Sequence, residues 1–263
     1  MSFQHLIHLT LLVLLLATPL QAAVKLEYLL KETILRPGRE PLLREYTEVA
    51  VIDGARAYRE DRHKKTILDT KKGEVILVHH FNKTFSTGRL PFRREHYVAE
   101  AQQPRLQLHY KRFATYATFE EHDEAVRMGS WNVRKVNVVA ISPQYSDRAV
   151  LDVYLTTDID LDEETYDVLT KVWIEQSFTY HMDSWVDELV ALDGVLVRQE
   201  SEGSFLSSSS TGTVELLSAT EVEVSPETFQ PPADYPEVPL DYSDMIKIKE
   251  LPAGVSPPSR PPG

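Results

Sequence analysis

The stretch that decides the fold runs from Glu45 to Gly88: EYTEVAVIDGARAYREDRHKKTILDTKKGEVILVHHFNKTFSTG. It is a series of short segments in which apolar and polar residues alternate, separated by turn residues. Such alternation marks β-strands with one buried face. Asp53-Gly54 is read as the centre of a two-residue hairpin turn, where both central positions take positive φ, and Lys71-Lys72-Gly73 as a second turn. A meander this long has to curl or be covered, because a flat sheet leaves its apolar face and edges exposed.

Working outward, Val24–Leu35 reads as a strand, Arg36-Pro37-Gly38-Arg39 as a turn, and Leu42–Ile52 as the returning strand. Residues 89–104 are irregular, with room for a connection or a short helix. Arg105–Phe119 alternates Leu106, Leu108 and Tyr110 against Gln107, His109 and Lys111, which predicts a strand; Glu120–Glu124 reads as a polar turn. Trp131–Ile141 and Arg148–Thr157 predict another strand pair. The period then changes. Asp160 with Glu163 has capping-box spacing and opens a helical stretch reaching Leu192. Leu161, Thr165, Val168, Leu169 and Val172 share one face; Phe178, Met182, Trp185, Val186 and Leu189 share another. The second stripe is rotated by roughly 80° from the first at 100° per residue, which predicts two helical segments broken near Gln176-Ser177. Asp193-Gly194 stops them. Val195–Glu200 and Thr213–Val224 read as strands, with Ser207–Ser210 as a turn. Ser225-Pro226 starts a helical turn that ends before Pro231-Pro232.

Composition bounds the function. A 263-residue chain with 42% hydrophobic and 26% charged residues has ample material for a core. The net charge of -12 argues against a nucleic-acid partner, and it is unevenly spread. Residues 1–150 carry 23 Lys+Arg against 17 Asp+Glu; residues 151–263 carry 5 against 23. The absence of cysteine removes disulfides, thiolate metal sites, a cysteine nucleophile and a lipid-attached N-terminal cysteine.

Leu6–Ala17 is an uncharged apolar run followed by Thr18-Pro19-Leu20-Gln21-Ala22-Ala23. It is shorter than the ~20 apolar residues of a membrane span and fits a signal peptide cleaved after Ala22, which places the mature protein in the periplasm or outside the cell. The expected organisation is therefore a signal peptide over 1–22, one domain over 23–238, and a Pro-rich, disordered tail over 239–263.

Several strings resemble the LolA-like superfamily of periplasmic lipoprotein carriers, and especially a group of exported bacterial proteins related to them. They are Asp53-Gly54-Ala55-Arg56 with Tyr58-Arg59, Ile67-Leu68-Asp69, Glu74–Val78, Lys83-Thr84-Phe85-Ser86, Val153–Asp158, and Phe229-Gln230-Pro231-Pro232-Ala233-Asp234-Tyr235. The likeness spans roughly residues 24–235. Met128-Gly129-Ser130-Trp131 stands where that group has a Gly-Tyr-Cys-like string. The resemblance implies an α+β, mainly β fold: a strongly curved antiparallel sheet, an open half-barrel, with a two-segment helical lid over its concave face. It also implies an apolar or acyl ligand held between sheet and lid.

Read from the residues, the inner wall of such a pocket draws on Tyr28, Tyr46, Val49, Tyr58, Leu77, Phe85, Leu108, Tyr110, Trp131 and Tyr154 on the strands, and on Trp173, Phe178, Met182 and Trp185 on the helices. Tyr and Trp suit both a lipid mouth and the boundary of an ordinary core. No catalytic motif is present. There is no Gly-x-Ser-x-Gly elbow, no His-Glu-x-x-His and no phosphate-cradling glycine loop, and His79-His80 point to opposite faces of a strand. His122 among Glu120, Glu121, Asp123 and Glu124 is the sole candidate cation site, and no metal, cofactor or enzymatic activity is expected. The alternative function is a structural or interaction protein with a closed core. It would dock an envelope protein through its tail or through an acidic helix face formed by Asp162, Glu163, Asp167, Glu175, Asp183, Asp187 and Glu188.

Overall fold

The computed structural model describes residues 22–113, 115–142, 148–176, 185–205 and 208–242. The proposed signal segment, Phe178, Met182 and most of the tail lie outside them. The strands are β1 (Ala23–Leu35), β2 (Leu42–Asp53), β3 (Arg56–Glu60), β4 (Lys64–Asp69), β5 (Glu74–His79), β6 (Thr84–Arg89), β7 (Tyr116–Met128), β8 (Trp131–Ile141), β9 (Arg148–Thr156), β10 (Val195–Phe205) and β11 (Ser208–Val222). The helices are α1 (Gln103–Phe113), α2 (Glu163–Gln176) and α3 (Val186–Val190).

All eleven strands form one antiparallel sheet in the order β6-β5-β4-β3-β2-β1-β11-β10-β9-β8-β7. β6 and β7 are its two edges, so the sheet is open. Its curvature follows from distance. Side chains from β3 and β9 line the same small cavity, yet in a flat sheet these strands, five steps apart, would be separated by about 24 Å at ~4.8 Å per step. The sheet therefore wraps around α2 and α3.

Period-2 alternation assigns the faces. On the concave side lie Leu26 and Tyr28 of β1, Glu48, Ala50 and Ile52 of β2, Ala57 and Arg59 of β3, Thr66 and Leu68 of β4, and Val75 and Leu77 of β5. Tyr28, Ala50, Ile52, Ala57 and Leu68 pack with Leu161, Tyr166 and Leu169 around α2. Val75 and Leu77 pack with Phe92, Leu106, Val172 and Tyr242. On the convex side, Val51, Ile67 and Val78 are buried under Phe229 of a 3-10 turn, Pro226–Phe229. The segment after that turn then covers the β6 edge. The Phe85 N–H donates to the Pro236 carbonyl (3.1 Å), and the Val238 N–H donates to the Phe85 carbonyl (2.8 Å).

Five expectations change, the first being that Ser208–Ser210, read as part of a turn, pair within β11. The β2–β3 turn is Gly54-Ala55, since Asp53 pairs with Arg56, and within it only Gly54 has positive φ (+54°). Residues 103–113 are helical, not a strand. Leu106 is buried, Tyr110 is half-buried and Leu108 is 66% exposed. That pattern is the i, i+4 face of a helix, with i+2 turned away. Glu120–Glu124 lies within β7, where a bulge between His122 and Val126 absorbs the polar run. Packing also runs past residue 238, because Tyr242 is buried against Phe92.

Candidate functional site

Between α2, α3 and the concave face lies a cavity of about 130 Å³. Its apolar wall is Val153 and Leu155 of β9, Leu196 of β10, Val214 of β11, Trp173 and Ile174 of α2, and Leu189, Val190 and Leu192 at α3. Arg59, Asp167, Thr170, Gln199 and the Tyr166 hydroxyl supply the polar groups. Gly194 closes one end. Its φ is +105°, and a Cβ there would meet the Thr156 carbonyl oxygen at 2.8 Å, so only glycine fits.

One side of the cavity is a buried polar cluster. Register sets Glu48 beside Tyr28 and Ala50 beside Arg59. The Glu48 carboxylate accepts from Arg59 Nε at 2.7 Å and Nη2 at 2.5 Å. The guanidinium lies 5.6 Å from the Tyr28 ring centroid and 5.0 Å from that of Trp173. Lys64 Nζ of β4 sits 3.8 Å from the Trp173 centroid. Trp173 thus receives one cation from each of two neighbouring strands, an arrangement favoured by the negative face of the indole. Burial pushes Lys64 down to about 8, against the pull of Asp61.

The same side chains fasten the helices to the sheet. The Tyr28 and Tyr166 hydroxyls are 3.4 Å apart, and the Leu196 N–H donates to the Tyr166 hydroxyl at 3.2 Å. Gln176 Nε2 donates to Thr66 Oγ1 at 2.5 Å. Lys171 of α2 pairs with Asp187 of α3. Trp185 enters the apolar cluster of Val136, Leu151 and Leu155, and its indole N–H donates to Thr115 Oγ1 at 2.9 Å. Burial, aided by Glu163 and Asp193, raises Asp167 to about 6.

Of the residues read from the sequence as cavity wall, Trp173 lines this space. Tyr28 backs it through Arg59 and Tyr166. Tyr46 is half-buried on the concave face near Glu48. Leu77 and Tyr110 belong to the neighbouring cluster under α1, and Trp185 to the one under α3. Tyr58 and Phe85 are corrected to the convex face. Tyr58 pairs with Ile67, and Phe85 with Val78, and these partners pack under the 3-10 turn. Val49 follows them, and Leu108 faces solvent. Tyr154 alternates with Val153 and Leu155, does not line the cavity, and packs at the margin of the cluster around α2 beside Lys135. Trp131 packs against the edge of the cluster around α2 and lines a more open depression of about 420 Å³ with Met128 and Leu217.

The acidic helix face is not one exposed surface. Asp162 accepts from the Thr165 N–H as a cap, Asp167 lines the cavity, Glu175 is buried, and Asp187 is paired. Asp183 lies outside the described residues. His122 is in a strand, hydrogen-bonded to Asn137, and among the described residues no group of three or more His, Cys, Asp or Glu is placed to hold a metal ion. Among them, too, no helix is long and apolar enough to cross a membrane.

No family model and no curated protein matches this chain. Nineteen chains of solved structures do. One is a LolA superfamily protein from Nitrosomonas europaea, 6% identical, covering 80% of this chain and 90% of its own at a TM-score of 0.28. The open, curved sheet follows from the strand order and from β3 and β9 lining one cavity.

Proposed function

We propose that this is an exported, periplasmic binding or carrier protein that holds an apolar or acyl ligand between the concave sheet and the α2–α3 cover, in the service of envelope lipid or lipoprotein handling. The observation that carries this reading is the cavity: an apolar wall with a few converging polar groups, the usual form of a small-molecule site. Its volume of about 130 Å³ equals only about four water molecules, well short of the ~300–1,000 Å³ of a ligand pocket. On this reading an acyl chain enters only as α2 and α3 move outward from the sheet.

The fastenings suit that motion. The polar fastenings of α2 include Tyr28–Tyr166, the Leu196 N–H to the Tyr166 hydroxyl, Gln176–Thr66, Lys171–Asp187 and the two cations on Trp173. Such contacts are each worth about 1 kcal/mol and can be exchanged for water. The apolar wall left behind is what an acyl chain would cover. No step of this reading asks for a catalytic group.

The test is native mass spectrometry of the protein exported into a bacterial periplasm and purified without detergent. A lipid adduct that is lost in a Val214→Phe variant, which fills the cavity, is the expected result. Adduct-free protein that also fails to take up long-chain fatty acid would overturn the reading.

A further inference from the structure

The far end of the β1–β2 ribbon combines two features that an ordinary hairpin avoids. Leu43 is 72% exposed, Leu35 48% and Leu42 37%. Between them every residue from Arg36 to Pro41 is exposed. The turn is closed by the Arg39 N–H donating to the Arg36 carbonyl at 3.1 Å, with Gly38 at φ +68°. Lower down the ribbon the charges are matched, Arg44 with Glu32 and Lys31 with Glu45. In the tip segment Arg36–Pro41 the sole acidic residue is Glu40, and neither Arg36 nor Arg39 has an ion pair among the described residues. The adjoining end of β11 offers Ser209 and Ser210, beside Leu35 and Ile34, and no carboxylate. A cationic, leucine-rich tip thus stands on a chain of net charge -12.

Register decides what such a tip fits. Leu43 is opposite Thr33 and Leu42 opposite Ile34. Successive strand residues point to opposite faces, so Leu35 and Leu43 lie on one face of the ribbon and Leu42 on the other. A protein partner, or a second copy, pressed against one face would leave the other leucine in water. The headgroup and upper acyl region of a bilayer surrounds whatever enters it. It takes apolar side chains on both faces, while phosphates accept from guanidinium groups.

We infer that the β1–β2 tip, through Leu35, Leu42, Leu43, Arg36 and Arg39, docks this protein onto an anionic lipid bilayer surface. This surface is separate from the cavity and stands whether or not the cavity takes a lipid. Docking is reversible. Each arginine near an anionic surface adds about fivefold to the partition constant, and each leucine inserted adds up to about tenfold.

The experiment is co-sedimentation of the purified mature chain with vesicles of equimolar phosphatidylglycerol and phosphatidylcholine, and with phosphatidylcholine vesicles alone. Two variants, Leu35→Ser/Leu43→Ser and Arg36→Ala/Arg39→Ala, accompany the wild type; their unchanged thermal melts establish that these exposed substitutions leave the fold intact. The expected result is wild-type binding to the anionic vesicles, weakened by salt and absent from the neutral ones, with about 25-fold loss in the arginine variant and up to about 100-fold loss in the leucine variant. Four outcomes overturn the inference: wild type remaining in the supernatant with both vesicle types; both variants binding like wild type; arginine-dependent but leucine-independent binding, which would mark a simple phosphate site; and leucine-dependent self-association without vesicle binding.

Discussion

Glu48 is 2% exposed and Arg59 is its partner, so each removes the other's cost of burial. Glu48→Gln would leave the guanidinium buried without its counter-ion, and we expect a loss of about 3–5 kcal/mol in a denaturant melt; a loss below ~1 kcal/mol would mean the pair is solvated. Glu175 is the opposite case. Burial raises its carboxyl to about 7, although Lys171, Arg94 and Arg93 pull it down. A group whose folded-state pKa is raised adds stability below its unfolded value, and that stability is lost as pH rises through the folded value. Stability should therefore fall between about pH 4.5 and pH 7, and Glu175→Gln should remove ~1–3 kcal/mol of that fall. Thermal melts at pH 5 and pH 8 check it; equal pH dependence in both proteins contradicts it. Neither residue was legible in the sequence as inward-facing. Alternation sends charge to solvent, and in β3 the inward positions are Ala57 and Arg59, while the bulkier Tyr58 between them draws the eye to the wrong face.

At the scale of elements, the strands of residues 23–89, the pair 131–156 and the two-part helical cover were readable. Each has either period-2 alternation bounded by turn residues or a 3.6-residue stripe with a cap. The failure at α1 has a definite cause. Leu106, Leu108 and Tyr110 satisfy alternation, and Leu106 with Tyr110 also satisfies i, i+4; over five residues the two periods cannot be separated without knowing which leucine is covered. A pair of substitutions separates them. Leu106→Ala should cost about 2–4 kcal/mol, because the side chain is buried among Val75, Leu77 and Phe92, whereas Leu108→Ala should change stability by less than ~0.5 kcal/mol. Equal losses in urea melts would place both side chains in the core and contradict the helix. The convex cluster under Phe229 was unreadable for another reason. It is made by a short Pro-bounded turn remote in sequence from the strands it covers, and no local period announces such a contact.

For the whole molecule, the open eleven-stranded sheet bends until β3 and β9 share one cavity, and α2 and α3 occupy the space the bend creates. That the space between sheet and helices would have apolar walls could be read from the amphipathic stripes. Its floor could not, because β9, β10 and β11 meet β3 across the cavity only through the curvature, which depends on all the strand pairings together. The proposed function requires an acyl chain to enter this space rather than the packed convex layer. The most direct measurement is methyl NMR of the protein with a spin-labelled long-chain fatty acid. Broadening of the Leu155, Leu189, Leu196 and Val214 methyl signals, with Val51, Ile67 and Val78 unaffected, is the predicted result. Broadening confined to the convex residues, or to none of them at saturating fatty acid, would contradict the account.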